Sequence, residues 1–276
     1  MIDIMENGTG FTATSYGDMI DLSDQQYEDW GLRAIGADKA WARTRGSGVR
    51  VAIIDTGWSD HPDLAPNIVL TAGNKDTQGH GTHVSGIVAA LDNAFGVVGV
   101  APEAKLLVNG CMPGSGADLI AAIQWAIDNH AQVISMSLGC YDDMPGLEDM
   151  VQKAYAAGIV IVAAAGNDPT RIAYPGIYPE CIAVTALDPQ GQLEPFAPQC
   201  SNHLGCPGGQ ILSTWLDGQY ARLSGTSQAT PMIAGAVALM LALPHEGDVH
   251  EYVQRELLKI AAKTTGWAYE PNLALL

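Results

Sequence analysis

From about Trp30 onward, short apolar runs alternate with amphipathic stretches, and the two patterns read as different elements. Residues 49–55 (Val-Arg-Val-Ala-Ile-Ile-Asp), 105–109, 133–138, 159–164 and 182–186 are nearly continuous apolar runs of strand length. Between them, Leu119, Ile120, Ile123 and Ile127 share one helical face, and Leu147, Met150, Val151 and Ala154 share another that Gly158 stops. Residues 80–91 and 232–243 also read as apolar helical stretches. Strand and helix in alternation predict an α/β fold, a central mostly parallel sheet with helices on both faces. Uniformly apolar residues 159–165 suit a strand with no solvent side. Residues 1–24 differ: they are polar, rich in Gly, Thr, Ser and Asp, and show little periodicity. They read as an N-terminal extension ahead of one domain spanning 25–276.

Composition narrows the picture. A chain of 276 residues, 47% apolar and only 16% charged, can bury a large core and is not disordered as its main state. The formal charge of −17 repels phosphate, so nucleic acid and anionic membrane are not expected partners. No run of about 18 apolar residues marks a spanning helix; residues 232–243 are too short and contain Gly235. The acidity is uneven, since residues 1–32 hold seven acids and no base. Without a basic n-region and apolar h-region at the start, the expected location is cytoplasmic; secretion would require a leader not in this sequence. Five dispersed cysteines then read as reduced thiols, although Cys200 and Cys206 could close a short loop in an oxidising compartment.

Three motifs carry candidate chemistry. Asp55 ends the first strong strand, followed by Thr56-Gly57; His80 lies in Gly-His-Gly-Thr-His-Val-Ser-Gly, residues 79–86; Ser227 lies in Ser-Gly-Thr-Ser-Gln-Ala-Thr-Pro, residues 224–231, before an apolar helix. Singly, each has a plain structural reading as a turn or a helix cap. Together they supply what nucleophilic serine catalysis needs: a hydroxyl, a base to take its proton, and an acid to fix the base's tautomer. The order Asp…His…Ser separates this arrangement from other triads. With residues 61–64 (His-Pro-Asp-Leu), 137–139 (Ser-Leu-Gly) and 163–167 (Ala-Ala-Ala-Gly-Asn), the chain resembles the subtilisin-like serine proteases, or subtilases, from about Trp30 to Thr264. Among them it is most similar to the intracellular subtilisins. Gln228, where the family usually has Met, is one departure.

The resemblance implies a serine endopeptidase with a polypeptide substrate. Asp55, His80 and Ser227 would form its triad, and Asn167 would donate to the oxyanion. Substrate backbone would pair with Ser137, Leu138 and Gly139 on one side and with Gly114, Ser115 and Gly116 on the other. Ala164, Ala165 and Gly166 would form the opposite wall of the P1 pocket, with Ala173 near its floor. These small uncharged residues imply an uncharged, apolar or aromatic P1. A structural Ca²⁺ is implied by residues 91–97 (Leu-Asp-Asn-Ala-Phe-Gly-Val). Its ligands would be the Leu91, Phe95 and Val97 carbonyls, Asn93, Asp63, and Gln25 or Gln26, all hard oxygen donors. Residues 1–24 match in length the short extension that covers the cleft of intracellular members. Two other chemistries are open to such residues: a same-fold peptide ligase or macrocyclase, and a metallohydrolase read from His80-Gly-Thr-His83. The second lacks both the three-residue spacing and the intervening Glu of such sites. The sequence leaves the oligomeric state unassigned.

Overall fold

A computed structural model of the chain describes residues 2–3, 19–20, 22, 24–199, 204–264 and 268–271. Its centre is a nine-stranded sheet among these residues, in the order Ala261–Thr264, Ala268–Pro271, Leu204–Pro207, Cys181–Leu187, Val160–Ala164, Val133–Met136, Arg50–Asp55, Lys105–Gly110, Ile68–Gly73. The first two pair antiparallel and every other neighbouring pair is parallel. The expected α/β architecture is therefore present. The chain's progress across the sheet reverses around the Arg50–Asp55 strand, flanked by Lys105–Gly110 and Val133–Met136. Open parallel sheets place functional groups at such a switch point, beyond the strand C-termini.

Alternation along each strand divides the core into two. Val51, Ile53, Leu106, Val108, Val160 and Val162 face one cluster, shared with the helices His80–Ala89 and Thr226–Leu241. Ala52, Ile54, Leu107, Ile134, Ile161 and Ala163 face the other, shared with Gly116–Asp128 and Leu147–Ala156. The period-two geometry of a strand accounts for continuous apolar sequence: both faces meet a helix layer.

Some boundaries differ from the sequence reading. The strand from Val133 stops at Met136, and Leu138–Gly139 forms a separate short strand. The long apolar helix begins at Thr226, not Met232, because Pro231 is accommodated inside it. Two strands were not expected from the sequence: Ile68–Gly73 at the sheet edge, with half-buried residues alternating with exposed ones, and the Gly- and Pro-containing Leu204–Pro207. All 16 residues of Thr226–Leu241 are buried. Small residues allow this: a Cβ added at Gly235 would lie 2.6 Å from the Val100 Cβ.

Candidate active site

Asp55 is fully buried at the C-terminal end of its strand. Its Oδ1 accepts hydrogen bonds from the Thr56 N–H at 2.7 Å and from His80 Nδ1 at 2.7 Å. Donation from Nδ1 to a carboxylate fixes the imidazole tautomer and leaves Nε2 as the basic nitrogen. That Nε2 is buried and holds no hydrogen bond. His80 is the first residue of His80–Ala89, behind Gly79, whose φ of 86° lies in the left-handed region and whose Cα abuts the Trp215 ring.

The sequence reading missed the residue that sets this geometry. Asp76 is buried, and its carboxylate accepts five hydrogen bonds. Oδ1 receives Thr56 Oγ1 at 2.9 Å, Gln78 N at 2.9 Å and Gly79 N at 2.8 Å. Oδ2 receives the N–H and the hydroxyl of Thr82, each at 2.8 Å. Thr56 Oγ1 accepts in turn from Gly81 N at 2.8 Å. One carboxylate thus links the residue after Asp55 to the helix start that carries His80. The available signal was an acid four residues before a helix-opening histidine, where first-turn N–H groups lack intrahelical acceptors.

Ser227 sits in the first turn of Thr226–Leu241, directly after Thr226. Pro231 has no N–H, so the Ser227 carbonyl four residues earlier lacks its helical donor. Ser137 Oγ supplies one at 2.7 Å, and Ser227 Oγ donates back to the Ser137 carbonyl at 3.0 Å. Asn167 approaches the same turn from the end of the Val160–Ala164 strand. Its Oδ1 accepts from Thr226 N at 3.1 Å and Thr226 Oγ1 at 3.0 Å. With Oδ1 so held, the orientation of the Nδ2 amide is set beside the first-turn N–H groups.

The residues expected to line substrate lie close by. Leu138–Gly139 pairs in parallel with Ile2–Asp3, with Ile2 opposite Leu138 and Asp3 opposite Gly139. Gly114 and Ser115 lead into the helix that Gly116 opens, and the Ser115 N–H is taken by Asp118 Oδ2 at 2.8 Å in a capping box. The capping hydrogen bonds hold the Asp118 carboxyl below its ordinary range. Ala173 donates its N–H to the Ala165 carbonyl at 2.9 Å, which joins the proposed floor to the wall Ala164, Ala165 and Gly166. Tyr141, which the sequence reading did not single out, packs against Ala164 and Ala173.

The residues expected to hold calcium lie together, except that Gln25 points away from the group. Gln26 pairs with Gly96 and its amide donates to the Leu91 carbonyl at 2.8 Å, whereas Gln25 is exposed. Asp63 is fully buried. Its oxygens accept from Asn93 Nδ2 and Val97 N, each at 2.8 Å, and from Tyr220 OH at 3.3 Å. The Phe95 N–H donates to Asn93 Oδ1 at 2.9 Å. Burial pushes the Asp63 carboxyl up to about 6, against the opposing effect of these hydrogen bonds. A buried carboxylate with no cation beside it, grouped with carbonyl and amide oxygens, fits a hard divalent ion. The two histidines do not form a metal pair: His80 is held on Asp55, and His83 Nε2 bonds the Ala221 carbonyl at 3.0 Å. Burial holds His83 down to about 3, so it stays neutral as a structural residue. Cys200 lies outside the described residues, so its pairing with Cys206 does too.

Comparison with known proteins agrees with this geometry. A model of the Subtilase family matches residues 46–271. The chain is 40% identical over 258 residues to the Intracellular serine protease of Paenibacillus polymyxa, covering 85% of this chain and 79% of that one. It is 41% identical over 230 residues to Subtilisin DY of Bacillus licheniformis, covering 77% and 84%. The Minor extracellular protease Epr of Bacillus subtilis (strain 168) is 38% identical over 254 residues, or 86% of this chain but only 39% of that protein. The chain belongs to the subtilase family and is a subtilisin-like serine protease. Relatives named intracellular and extracellular both occur, and no helix among the described residues is long and apolar enough to cross a membrane.

Asp76→Asn keeps the side chain's shape but turns an NH₂ toward hydrogen-bond donors. It is expected to cost about 1–3 kcal/mol of stability. Urea unfolding measures this, and an unchanged midpoint would show that the network adds nothing.

Proposed function

We propose that the chain hydrolyses peptide bonds through an acyl-enzyme, with Ser227 as nucleophile, His80 as general base and then acid, and Asp55 as the imidazole's partner. The observation that carries this reading is the 2.7 Å Asp55–His80 contact, with an unpartnered Nε2 on a helix packed against the one whose first turn holds Ser227. In the resting arrangement the Ser227 hydroxyl donates to Ser137. Attack requires a turn about its χ1 so that the proton faces Nε2. Looser contacts before substrate binding are usual for such pairs. Charge developing on the carbonyl oxygen would meet Asn167 Nδ2 and the Ser227 N–H, donors held in place before the reaction. His80 then returns the proton to the leaving amine, and water repeats the sequence on the ester. Backbone pairing at Leu138–Gly139 supplies affinity that is independent of substrate sequence. The uncharged walls at Ala164, Ala165, Gly166 and Ala173 favour an uncharged, apolar P1. We place its action inside the cell, in line with the relative named Intracellular serine protease.

Two further parts belong to the proposal. Ca²⁺ would be held by Asp63, Asn93, Gln26 and the Leu91, Phe95 and Val97 carbonyls, where it would supply positive charge to a buried carboxylate. Residues 1–24 would act as an inhibitory segment. Their support is the pairing of Ile2–Asp3 with Leu138–Gly139, the same edge that a peptide substrate would use.

Ser227→Ala is expected to abolish peptide hydrolysis and labelling by a sulfonyl fluoride. Asn167→Ala should lower kcat by about 10²–10³, a range set by a member of this same family, with little change in KM. Full activity in either variant, read with a chromogenic peptide, would overturn the assignment. Chelation is expected to lower Tm, and Ca²⁺ but not Zn²⁺ should restore it; scanning calorimetry with Asp63→Asn as the insensitive control checks this. Removal of residues 1–24 should raise the initial rate on a peptide substrate; an equal rate before and after removal would rule out the inhibitory role.

A further inference from the structure

Tyr141 lies among the residues proposed to form the P1 pocket. Four contacts define where its ring lies. The Cys140–Tyr174 bridge, with N–H to carbonyl distances of 3.1 and 2.8 Å, brings the chain after Gly139 beside Ala173. From there the ring packs against Ala164 and Ala173, the proposed wall and floor. Its hydroxyl accepts the Asn167 N–H at 3.1 Å. At Gly166, where φ is +109°, an added Cβ would lie 2.8 Å from that hydroxyl and 3.3 Å from Cε1. The ring therefore spans the space between these three small residues.

Its outer face is held as well. The Arg171 guanidinium carbon lies 4.0 Å from the ring centroid, and Arg171 Nε donates to Asp168 Oδ2 at 2.8 Å. Cations over an aromatic face are attracted by its quadrupole. Asp168 balances the arginine, so this cover brings no net charge that would favour an acidic P1. The hydrogen bonds from Thr170 and Arg171 hold the Asp168 carboxyl at about 2, so the pair stays ionised at neutral pH.

We infer that Tyr141 is a specificity-determining residue that fills the inner part of the P1 pocket, so that the protease selects substrates with small P1 side chains such as alanine or serine. This rests on the protease reading above and narrows its apolar P1 preference. A large P1 residue would have to displace a ring fixed by Asn167 on one side and by Arg171 on the other. Interiors do not absorb such volume without strain.

The test compares kcat/KM for peptide p-nitroanilides that differ only in P1, Ala against Phe. The protein after removal of residues 1–24, and its Tyr141→Ala, Tyr141→Phe and Arg171→Ala variants, are measured alongside sulfonyl fluoride labelling of Ser227. The unsubstituted enzyme is expected to favour Ala. Tyr141→Ala should shift the Phe/Ala ratio toward Phe by about tenfold or more, the scale on which pocket volume discriminates. Arg171→Ala, which frees the ring without deleting it, should shift the ratio in the same direction by less. Tyr141→Phe keeps the ring and should leave the ratio unchanged while lowering kcat on both substrates, since the Asn167 N–H loses its acceptor. A Phe/Ala ratio that is the same in the unsubstituted enzyme, Tyr141→Ala and Arg171→Ala would overturn the inference alone. Absence of both cleavage and Ser227 labelling in every form would overturn the protease reading and this inference with it.

Discussion

Ser137 and Ser227 exchange two hydrogen bonds across a sequence separation of 90 residues, and the working end of the molecule is organised around that exchange. One bond repairs the carbonyl that Pro231 deprives of its helical donor; the other holds the hydroxyl of Ser227, the proposed nucleophile. Because Ser137 precedes Leu138–Gly139, the same contact sets the distance between the proposed substrate edge and the Ser227 oxygen. Asn167 joins through Thr226, and the helix that follows has no solvent-facing residue along which it could slide. The constraint is steric as much as polar, since Ala- and Gly-rich packing places the helix where larger side chains would hold it away.

Buried acids do distinct work in this acidic chain. Asp29, Asp55, Asp63 and Asp76 are the buried carboxylates among the described residues. Asp29 caps Trp30–Ile35 through the Gly31 N–H, lies 3.4 Å from Arg222, and has its carboxyl pushed up by burial. Asp55 faces an imidazole, and Asp76 is surrounded by N–H and O–H donors. Hydrogen bonds to an ionised acceptor are among the stronger ones available to a fold, which lets these charges sit inside without a lysine or arginine each.

Much of this was legible from residue order, for physical reasons that differ by feature. The strands at 50–55 and 160–164 announced themselves because helices cover both sheet faces and leave no polar positions. Ile68–Gly73 did not, although it reads Ile-Val-Leu-Thr-Ala-Gly, because a short run ending in Thr-Ala-Gly is hard to tell from a turn, and its exposed positions include Val69. Asp55, His80 and Ser227 each sit in a local motif, so their order was enough to group them. Asp76 carries its meaning in the number of donors it gathers, a property of the folded loop. Tyr141 became visible only through the Cys140–Tyr174 bridge, which joins segments far apart in sequence. The difference between Gln25 and Gln26 is likewise one of strand register, since Gln26 pairs with Gly96.

The pairing of Ile2–Asp3 with Leu138–Gly139 has a consequence in mass action. If residues 1–24 inhibit as proposed, a strand belonging to the same chain would compete with incoming peptide at a fixed effective concentration, which for tethered partners reaches the order of millimolar. Dilution weakens an inhibitor supplied from solution but would leave such a tethered competitor untouched. Only cutting the chain changes its concentration at the cleft, and cutting chains is the reaction the cleft performs.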